Sequence, residues 1–182
     1  MSIILYNILV AVVGLAMSPF ITALIERYSE EKKIFTPEVP DILLFVCTGN
    51  TCRSPMAAAM FNFLFPERNA FAVSAGLCAD GSPISENAKE ALRRRGVPCT
   101  VENNYTDHVS RTVTPEMIAT ASQVIGISSR HAMALICAFP GQAEKISAMP
   151  EDIADPFGGT VDDYVRCLAD IEKSLRAMFG EK

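Results

Sequence analysis

A five-residue apolar run at residues 42–46 leads directly into a loop of small, turn-forming residues. The run is short and contains no polar residue, which is typical of a strand buried on both faces of a parallel sheet. Beyond the loop, Ser54 can cap a helix and Pro55 fits the first helical turn. This order of strand, tight loop and helix predicts an α/β fold.

The rest of the chain continues the alternation of strands and helices. Short apolar runs predict further strands at residues 71–74, 124–127 and 145–149. Caps and apolar spacing predict helices over residues 85–95, from residue 114, over residues 128–139 and from residue 161. The sequence therefore predicts a three-layer α/β/α domain around a central four-stranded parallel sheet. Ligands of such sheets bind at the carboxyl ends of the strands, which is where Cys47 lies.

The first 25 residues contain no charged side chain. A helix of about 20 apolar residues spans the hydrocarbon core of a bilayer. Arg27, Lys32 and Lys33 follow the segment, and flanking positive charge favours the cytoplasmic side. We predict a hydrophobic N-terminal helix at residues 1–25 that anchors the chain to the membrane, and a linker at residues 26–40. A cleaved signal peptide and an amphipathic helix on a surface remain alternatives.

Charge and cysteine usage argue against several classes of partner. The chain has 16 basic and 21 acidic residues, a net charge of −5, and no basic cluster, so we expect no nucleic-acid partner. Six cysteines without a Cys-x-x-Cys pair and only two histidines predict neither a metal site nor a cofactor. Free thiols in a reducing compartment are the simpler interpretation.

The loop after the first strand has the composition of an anion-binding site. Backbone N–H groups after Cys47 can curl around an anion at the start of the next helix. Gly49 and Asn50 tolerate positive φ angles or a close backbone approach. The planar guanidinium of Arg53 matches two phosphoryl oxygens. The same positive field favours the thiolate of Cys47, which predicts nucleophilic attack at phosphorus.

A departing group needs a proton, and Asp155 is the candidate donor. It precedes Pro156 on a Pro/Gly-rich loop just before the last helix. A carboxyl group there can act as a general acid and later activate water. Spacing alone leaves open the alternative that Asp155 only forms a turn, because Asp-Pro is ordinary turn chemistry.

Four motifs occur in an order that resembles the low-molecular-weight protein tyrosine phosphatase family. They are CTGNTCRSPMA at residues 47–57, VSAG at 73–76, DHVSR at 107–111 and DPFGG at 155–159. The resemblance implies that Cys47 is the nucleophile, Arg53 binds phosphate and Asp155 is the acid/base. It also implies that residues 41–182 form a phosphatase domain that acts on phosphorylated proteins. The residues implied in substrate binding are Thr48, Gly49, Asn50, Thr51, Cys52 and Ser54, with Ser74 and His108 in support.

Thr51 bears on the substrate. Family members that act on phosphotyrosine usually carry Ile there, and the present loop is similar to that of the bacterial protein arginine phosphatase subgroup. A hydroxyl can hydrogen-bond a guanidinium, whereas an aliphatic wall suits an aromatic ring. We therefore predict a phosphoarginine phosphatase. The alternatives are a tyrosine phosphatase, an arsenate reductase, which the wide cysteine spacing argues against, and a non-catalytic phosphate-binding scaffold.

Cys52 raises a separate hypothesis. It lies beside Arg53 in the same compact loop, so its thiol can resolve an oxidised Cys47 as a reversible disulfide. The alternative is that Cys52 is a passive small residue.

Overall fold

The computed structural model describes residues 39–180, so the helix predicted at residues 1–25 and nearly all of the predicted linker lie outside the described residues. The strands are β1 (Asp41–Cys47), β2 (Ala70–Gly76), β3 (Gln123–Gly126) and β4 (Ile146–Ala148). The helices are α1 (Arg53–Leu64), α2 (Glu86–Arg94), α3 (Pro115–Thr120), α4 (Ser129–Ala138) and α5 (Val161–Phe179), with a 3-10 helix at Pro140–Lys145. Within residues 39–180, no helix is long and apolar enough to cross a membrane.

All four strands are parallel, in the order β2-β1-β3-β4. Side chains along β1 alternate between the two faces of the sheet. Leu43 and Phe45 pack in one core cluster with α1, α2 and α5. Leu44 and Val46 pack in a second cluster with α3 and α4. Helices therefore cover both faces, and the predicted three-layer fold with a four-stranded parallel sheet is confirmed.

The central position of β1 brings Cys47 to the middle of the carboxyl edge of the sheet. β1 pairs with β2 on one side and β3 on the other, and Cys47 lies opposite Gly76. The backbone of the next loop passes close to Gly76: a Cβ atom there would lie 2.6 Å from the Thr48 carbonyl oxygen. Glycine at the end of β2 therefore allows the loop to fold over the strand ends.

The helix boundaries mostly follow their predicted capping residues. Thr114 accepts a hydrogen bond from the Met117 N–H, and Thr160 forms a capping box with Asp163. The prediction that Ser54 caps α1 is wrong. The helix starts at Arg53, two residues earlier than predicted, with Cys52 as an N-cap that makes no side-chain cap bond. Ser54 lies in the first turn of the helix, and its hydroxyl does not cap the helix because it bonds to groups of the loop described below.

The outer edge of β2 is occupied by side chains and loops rather than by another strand. The Asn62 side-chain amide donates to the Ala72 carbonyl (3.1 Å) and accepts from the Ala72 N–H (2.8 Å). The Arg111 guanidinium donates to the Ser74 carbonyl at 3.2 Å, and the Arg111 carbonyl accepts from the Gly76 N–H at 2.9 Å. These contacts satisfy backbone groups that an edge strand would otherwise present to solvent.

Candidate active site

Cys47 ends β1 as a buried thiol that faces hydrogen-bonding groups of its own loop. Its Sγ lies 3.0 Å from the Ser54 hydroxyl and accepts a hydrogen bond from the Asn50 backbone N–H at 3.3 Å. The Ser54 hydroxyl is also 3.2 Å from the Ala75 carbonyl. Ser54 is fully buried and does not line the cleft, so the structure places it against the thiol rather than among the residues able to contact a substrate.

Asn50 holds the loop in shape. It is fully buried and takes a left-handed conformation with φ of 57°. Its side-chain amide donates to the Ser54 and Ser74 hydroxyls, both at 2.9 Å, and accepts from the Arg111 N–H at 3.0 Å. The His108 Nε2–H donates to the Asn50 carbonyl at 2.9 Å. Ser74 and His108 therefore lie behind the loop and contact Asn50 directly.

The loop opens onto a cleft of about 600 Å³. Of the two positions expected to tolerate a positive φ, only Asn50 adopts one. The φ angle at residue 49 therefore does not require a glycine. A Cβ atom on Gly49 would lie 3.8 Å from the Thr51 hydroxyl. The residues that line the cleft include Cys47, Thr48, Gly49, Asn50, Thr51, Cys52, Arg53, Asp155 and Phe157.

Arg53 and Asp155 meet at the edge of this cleft. The Arg53 Nη2 donates to the Asp155 Oδ2 at 2.5 Å, and its Nη1 donates to the Ile153 carbonyl at 3.4 Å. The Arg53 side chain is buried, whereas that of Asp155 is 51% exposed. The second Asp155 oxygen accepts from the Phe157 N–H at 3.3 Å, which fixes the turn of the DPFGG segment.

Cys52 points toward a different set of groups from Cys47. Its Sγ lies 3.2 Å from the Tyr164 hydroxyl and 3.6 Å from the Ser85 hydroxyl. Burial, together with the Cys52 thiol, raises the pKa of Tyr164 to about 12, so the phenol stays protonated. Tyr164 lies on α5, and the apolar spacing that predicts this helix gives no sign of the polar contact.

His131 is a site residue that the sequence did not reveal. Its Nε2 lies 3.0 Å from the Thr48 hydroxyl, and its Nδ1 lies 2.8 Å from the Ser128 hydroxyl. Burial lowers the pKa of His131, and the nearby Arg53 guanidinium lowers it further. The only available signal was a polar Ser-Ser-Arg-His run at the carboxyl end of β3.

His108 is also held neutral. Burial lowers its pKa, partly offset by the hydrogen bond to the Asn50 carbonyl, and the Arg111 guanidinium lowers it further. Because the carbonyl can only accept, the proton of the neutral ring lies on Nε2.

The cleft combines a thiol, the Asn50 backbone N–H that points to the sulfur, a guanidinium and a carboxylate. This set can bind a tetrahedral oxyanion, attack it with sulfur and move a proton at the leaving atom. Within residues 39–180, no group of His, Cys, Asp and Glu side chains is arranged to hold a metal ion.

Comparison with known proteins gives matches that cover this domain. The family model for low molecular weight phosphotyrosine protein phosphatase matches residues 42–182. A protein-arginine-phosphatase of Geobacillus stearothermophilus is 37% identical over 153 residues, which cover 79% of this chain and 97% of the relative.

Two solved structures share the fold. One is a low molecular weight protein tyrosine phosphatase from T. tengcongensis, with a TM-score of 0.69, 28% identity, and coverage of 76% of this chain and 97% of that one. The other is an arginine phosphatase whose cysteine-to-serine mutant carries a phosphorylated active-site serine. Its TM-score is 0.68, with 30% identity and coverage of 75% and 92% of the two chains. On the family match over residues 42–182 and the shared fold, this chain belongs to the low molecular weight phosphotyrosine protein phosphatase family.

Proposed function

We propose that this chain hydrolyses phosphoarginine side chains in proteins through a cysteinyl-phosphate intermediate on Cys47. The Cys47 thiolate attacks phosphorus, so that an S–P bond forms while the P–N bond to the guanidine breaks. Arg53 and the loop N–H groups hold the phosphoryl oxygens. Protonated Asp155 gives its proton to the departing guanidine nitrogen.

The second step releases phosphate. The Asp155 carboxylate takes a proton from a water molecule as the water oxygen attacks phosphorus and the S–P bond breaks. The products are inorganic phosphate, free Cys47 thiolate and protonated Asp155. The Ser54 hydroxyl, 3.0 Å from Sγ, can turn its single proton from the Ala75 carbonyl to the thiolate and stabilise it as a leaving group. The phosphorylated serine in the solved arginine phosphatase mutant supports a covalent intermediate at this position.

The position and contacts of Thr51 support phosphoarginine as the substrate. Thr51 lines the cleft, and the described contact of its hydroxyl is a weak one of 3.6 Å to the Cys52 thiol. A hydroxyl so weakly held at the wall of the cleft is available to a guanidinium N–H of the substrate. The relative that is 37% identical, named as a protein-arginine-phosphatase, supports the same substrate.

Phosphotyrosine is the second candidate substrate. Phe157 lies at the cleft with 76% of its surface exposed, so it offers an aromatic face to a phenolic ring. The solved relative named as a tyrosine phosphatase supports this alternative. Phe157 can equally stack on a planar guanidinium, so it does not separate the two substrates.

The decisive experiment compares kcat/KM for two peptides of identical flanking sequence, one with phosphoarginine and one with phosphotyrosine. Thr51→Val removes the hydroxyl at constant shape, Thr51→Ile adds the aliphatic wall, and Thr51→Ser is the control that keeps the hydroxyl. We expect both apolar variants to lower the phosphoarginine-to-phosphotyrosine ratio about tenfold, and the serine variant to preserve it. A wild-type preference for phosphotyrosine that these variants leave unchanged would overturn the choice.

Cys47→Ser tests the chemistry itself. We expect it to abolish turnover of both peptides, because the serine hydroxyl is a weak nucleophile at neutral pH. Residual hydrolysis at the wild-type rate would exclude Cys47 as the nucleophile. A wild-type protein that binds phosphate without hydrolysing either peptide would favour the non-catalytic scaffold.

We propose further that residues 1–25 are a hydrophobic helix that anchors the chain to the membrane, with residues 26–40 as the linker to a cytoplasmic phosphatase domain at residues 41–182. The uncharged N-terminal segment and the basic residues after it support this arrangement. The test is fractionation of cells that express the full chain. Retention in the membrane pellet through high salt and alkaline carbonate is expected, and release by either would overturn the anchor.

A further inference from the structure

One helix start contacts both segments that carry the proposed chemistry. At the beginning of α4, the His131 Nε2 lies 3.0 Å from the hydroxyl of Thr48, the residue after the nucleophile. In the same turn, the Ser129 N–H and hydroxyl donate to the Asp152 carboxylate at 2.7 Å and 3.0 Å. Asp152 lies in the same segment as Asp155, the proposed proton donor. The first turn of α4 therefore touches the phosphate-binding loop on one side and the acid-bearing loop on the other.

The contact with Thr48 reaches a part of the loop that Asn50 does not hold. Asn50 fixes the middle of the loop through Ser74, His108 and Arg111. Among the described contacts of Thr48, its carbonyl accepts from the Cys78 N–H at 2.9 Å, and its hydroxyl meets His131. The Thr48 residue, next to the nucleophile, is therefore held by Cys78 through its carbonyl and by His131 through its hydroxyl.

His131 is suited to this task because its own position is fixed. It is buried, and the Ser128 hydroxyl occupies its Nδ1 at 2.8 Å. When Ser128 donates to Nδ1, the single N–H of the neutral ring lies on Nε2 and points to the Thr48 oxygen. The Thr48 hydroxyl proton then stays free to face the cleft. The chain Ser128–His131–Thr48 thus gives the loop a directed hydrogen bond from a separate structural element.

We infer that His131 is a positioning residue of the active site, which acts through Thr48 to set the direction of the loop N–H groups toward the phosphoryl oxygens. The inference rests on the proposed phosphatase function. It assigns His131 no contact with the substrate. It predicts that loss of the His131–Thr48 hydrogen bond slows the reaction while the fold is retained.

Two amide variants of His131 test the contacts of its two ring nitrogens one at a time. The amide of a glutamine reaches the place of Nε2, so His131→Gln keeps a donor for Thr48. The shorter His131→Asn reaches only the place of Nδ1, so it keeps the Ser128 contact and loses Thr48. Met133→Ala is the control on the same helix, because Met133 is exposed and lies away from the loop. Thr48→Val removes the hydroxyl that His131 contacts.

The measurement is kcat and KM of the full-length variants with an aryl phosphate, with melting temperatures recorded alongside. We expect His131→Asn and Thr48→Val each to lower kcat about fivefold, the rate equivalent of one neutral hydrogen bond. We expect His131→Gln and Met133→Ala to match wild type. The double variant His131→Asn/Thr48→Val should be no slower than either single variant, because both remove the same contact.

The outcomes distinguish this inference from the proposed function. If wild type hydrolyses the aryl phosphate and His131→Asn is equally fast, or if the losses in the double variant multiply, the positioning role is wrong. If His131→Gln falls as far as His131→Asn at equal melting temperature, the role is wrong as well. If wild type has no turnover, the proposed function fails. Calorimetric affinity for inorganic phosphate then tests His131 independently: weaker binding in His131→Asn but not in His131→Gln supports the inference, and equal binding overturns it.

Discussion

Arg53 and Asp155, 102 residues apart in the chain, are joined by a hydrogen bond of 2.5 Å between Nη2 and Oδ2. The proposed phosphate-binding group and the proposed proton donor are therefore partners. A phosphoryl group needs the same guanidinium, so its oxygens compete with the carboxylate for Arg53. When phosphoryl oxygens replace the carboxylate on Arg53, Asp155 is left beside the phosphoryl group, where a proton donor for the leaving atom is needed.

Replacement of Asp155 by Asn should affect catalysis and anion binding in opposite directions. We expect Asp155→Asn to lower kcat/KM, which reports the transfer of the phosphoryl group to Cys47, about a hundredfold with a poor leaving group and far less with a good one, because only the poor one needs a proton in that step. The affinity for inorganic phosphate should rise, because Arg53 loses its competing carboxylate. Steady-state kinetics across a leaving-group series and calorimetry measure both. Glu151→Gln is the charge-matched control, and a loss in kcat/KM that is independent of the leaving group would contradict the role of Asp155 as the proton donor.

Removal of the Asn50 side chain should damage both the loop and the fold. Asn50→Ala leaves the Arg111 N–H and two serine hydroxyls without their partner and keeps a Cβ atom in the left-handed conformation. We expect a loss of about 2–4 kcal/mol in the free energy of unfolding and a large drop in kcat. Asn50→Gly also loses the amide but relieves the backbone strain, so it should be about 1 kcal/mol more stable than the alanine variant. Equal melting temperatures for the two variants would show that the left-handed angle costs nothing.

Acid should weaken the fold through His131, which is buried, and His108, which is half-buried. The pKa values of His108 and His131 are lowered by burial, so protonation occurs more readily in the unfolded chain. Stability should therefore be level above about pH 6.5 and fall as the pH drops below that value toward the folded-state pKa. Urea unfolding between pH 7.5 and 5 measures this slope. The slope should be shallower in His108→Gln, and an unchanged slope would exclude that histidine as a source.

Glu172 should contribute to stability over a different pH range. It binds the Arg95 guanidinium through both carboxylate oxygens, at 2.6 Å and 2.7 Å, and also accepts from Arg176. The hydrogen bond with Arg95 is the main cause that lowers the pKa of Glu172 to about 2. The contribution is thus present above the unfolded value of about 4.3 and is lost as the pH falls through the folded one.

We expect Glu172→Gln to cost about 1 kcal/mol at pH 7, because Arg95 is partly exposed and solvent screens the pair. The difference from wild type should vanish near pH 2. Glu151→Gln, which removes an exposed pair with Lys173, should leave the melting temperature unchanged. A difference for Glu172→Gln that stays constant with pH would contradict the ion-pair explanation.

The redox hypothesis for Cys52 gives a prediction that involves Tyr164. Peroxide converts the Cys47 thiolate to a sulfenic acid, and attack by the Cys52 thiol would form the disulfide and release water. Cys52→Ala should abolish recovery of activity by a thiol reductant. Tyr164→Phe removes a partner 3.2 Å from the Cys52 sulfur, so it should speed disulfide formation. Full recovery in Cys52→Ala would overturn the hypothesis.

Much of the fold is readable from the sequence because each signal is local. The apolar run of β1, the Thr114 cap and the Thr160–Asp163 capping box each lie within a few residues of the structure that they specify. The prediction of a cap at Ser54 is wrong because this residue is held by a contact that is not local. The Ser54 hydroxyl contacts Cys47 and the Ala75 carbonyl, and the second of these partners belongs to another strand.

The candidate site is predictable only where its residues fall in one motif. The loop from Cys47 to Ser54 is continuous, so its chemistry can be read directly. His131 contacts Thr48 from 83 residues further along the chain, and Tyr164 contacts Cys52 from 112 residues further along. Spacing in the chain carries no trace of such contacts, because they arise only when the sheet order places α4 and α5 beside the loop.

The side-chain cover on β2 limits how a protein substrate can be held. With the Ala72 and Gly76 backbone groups already bonded to Asn62, Arg111 and Val113, an extended peptide has no row of free donors and acceptors to join on that side. Recognition by strand addition is therefore closed along the outer edge of β2. A target that approaches on this side must present its phosphorylated side chain without pairing its backbone to β2, so accessibility of that side chain should matter more there than the conformation of the surrounding backbone.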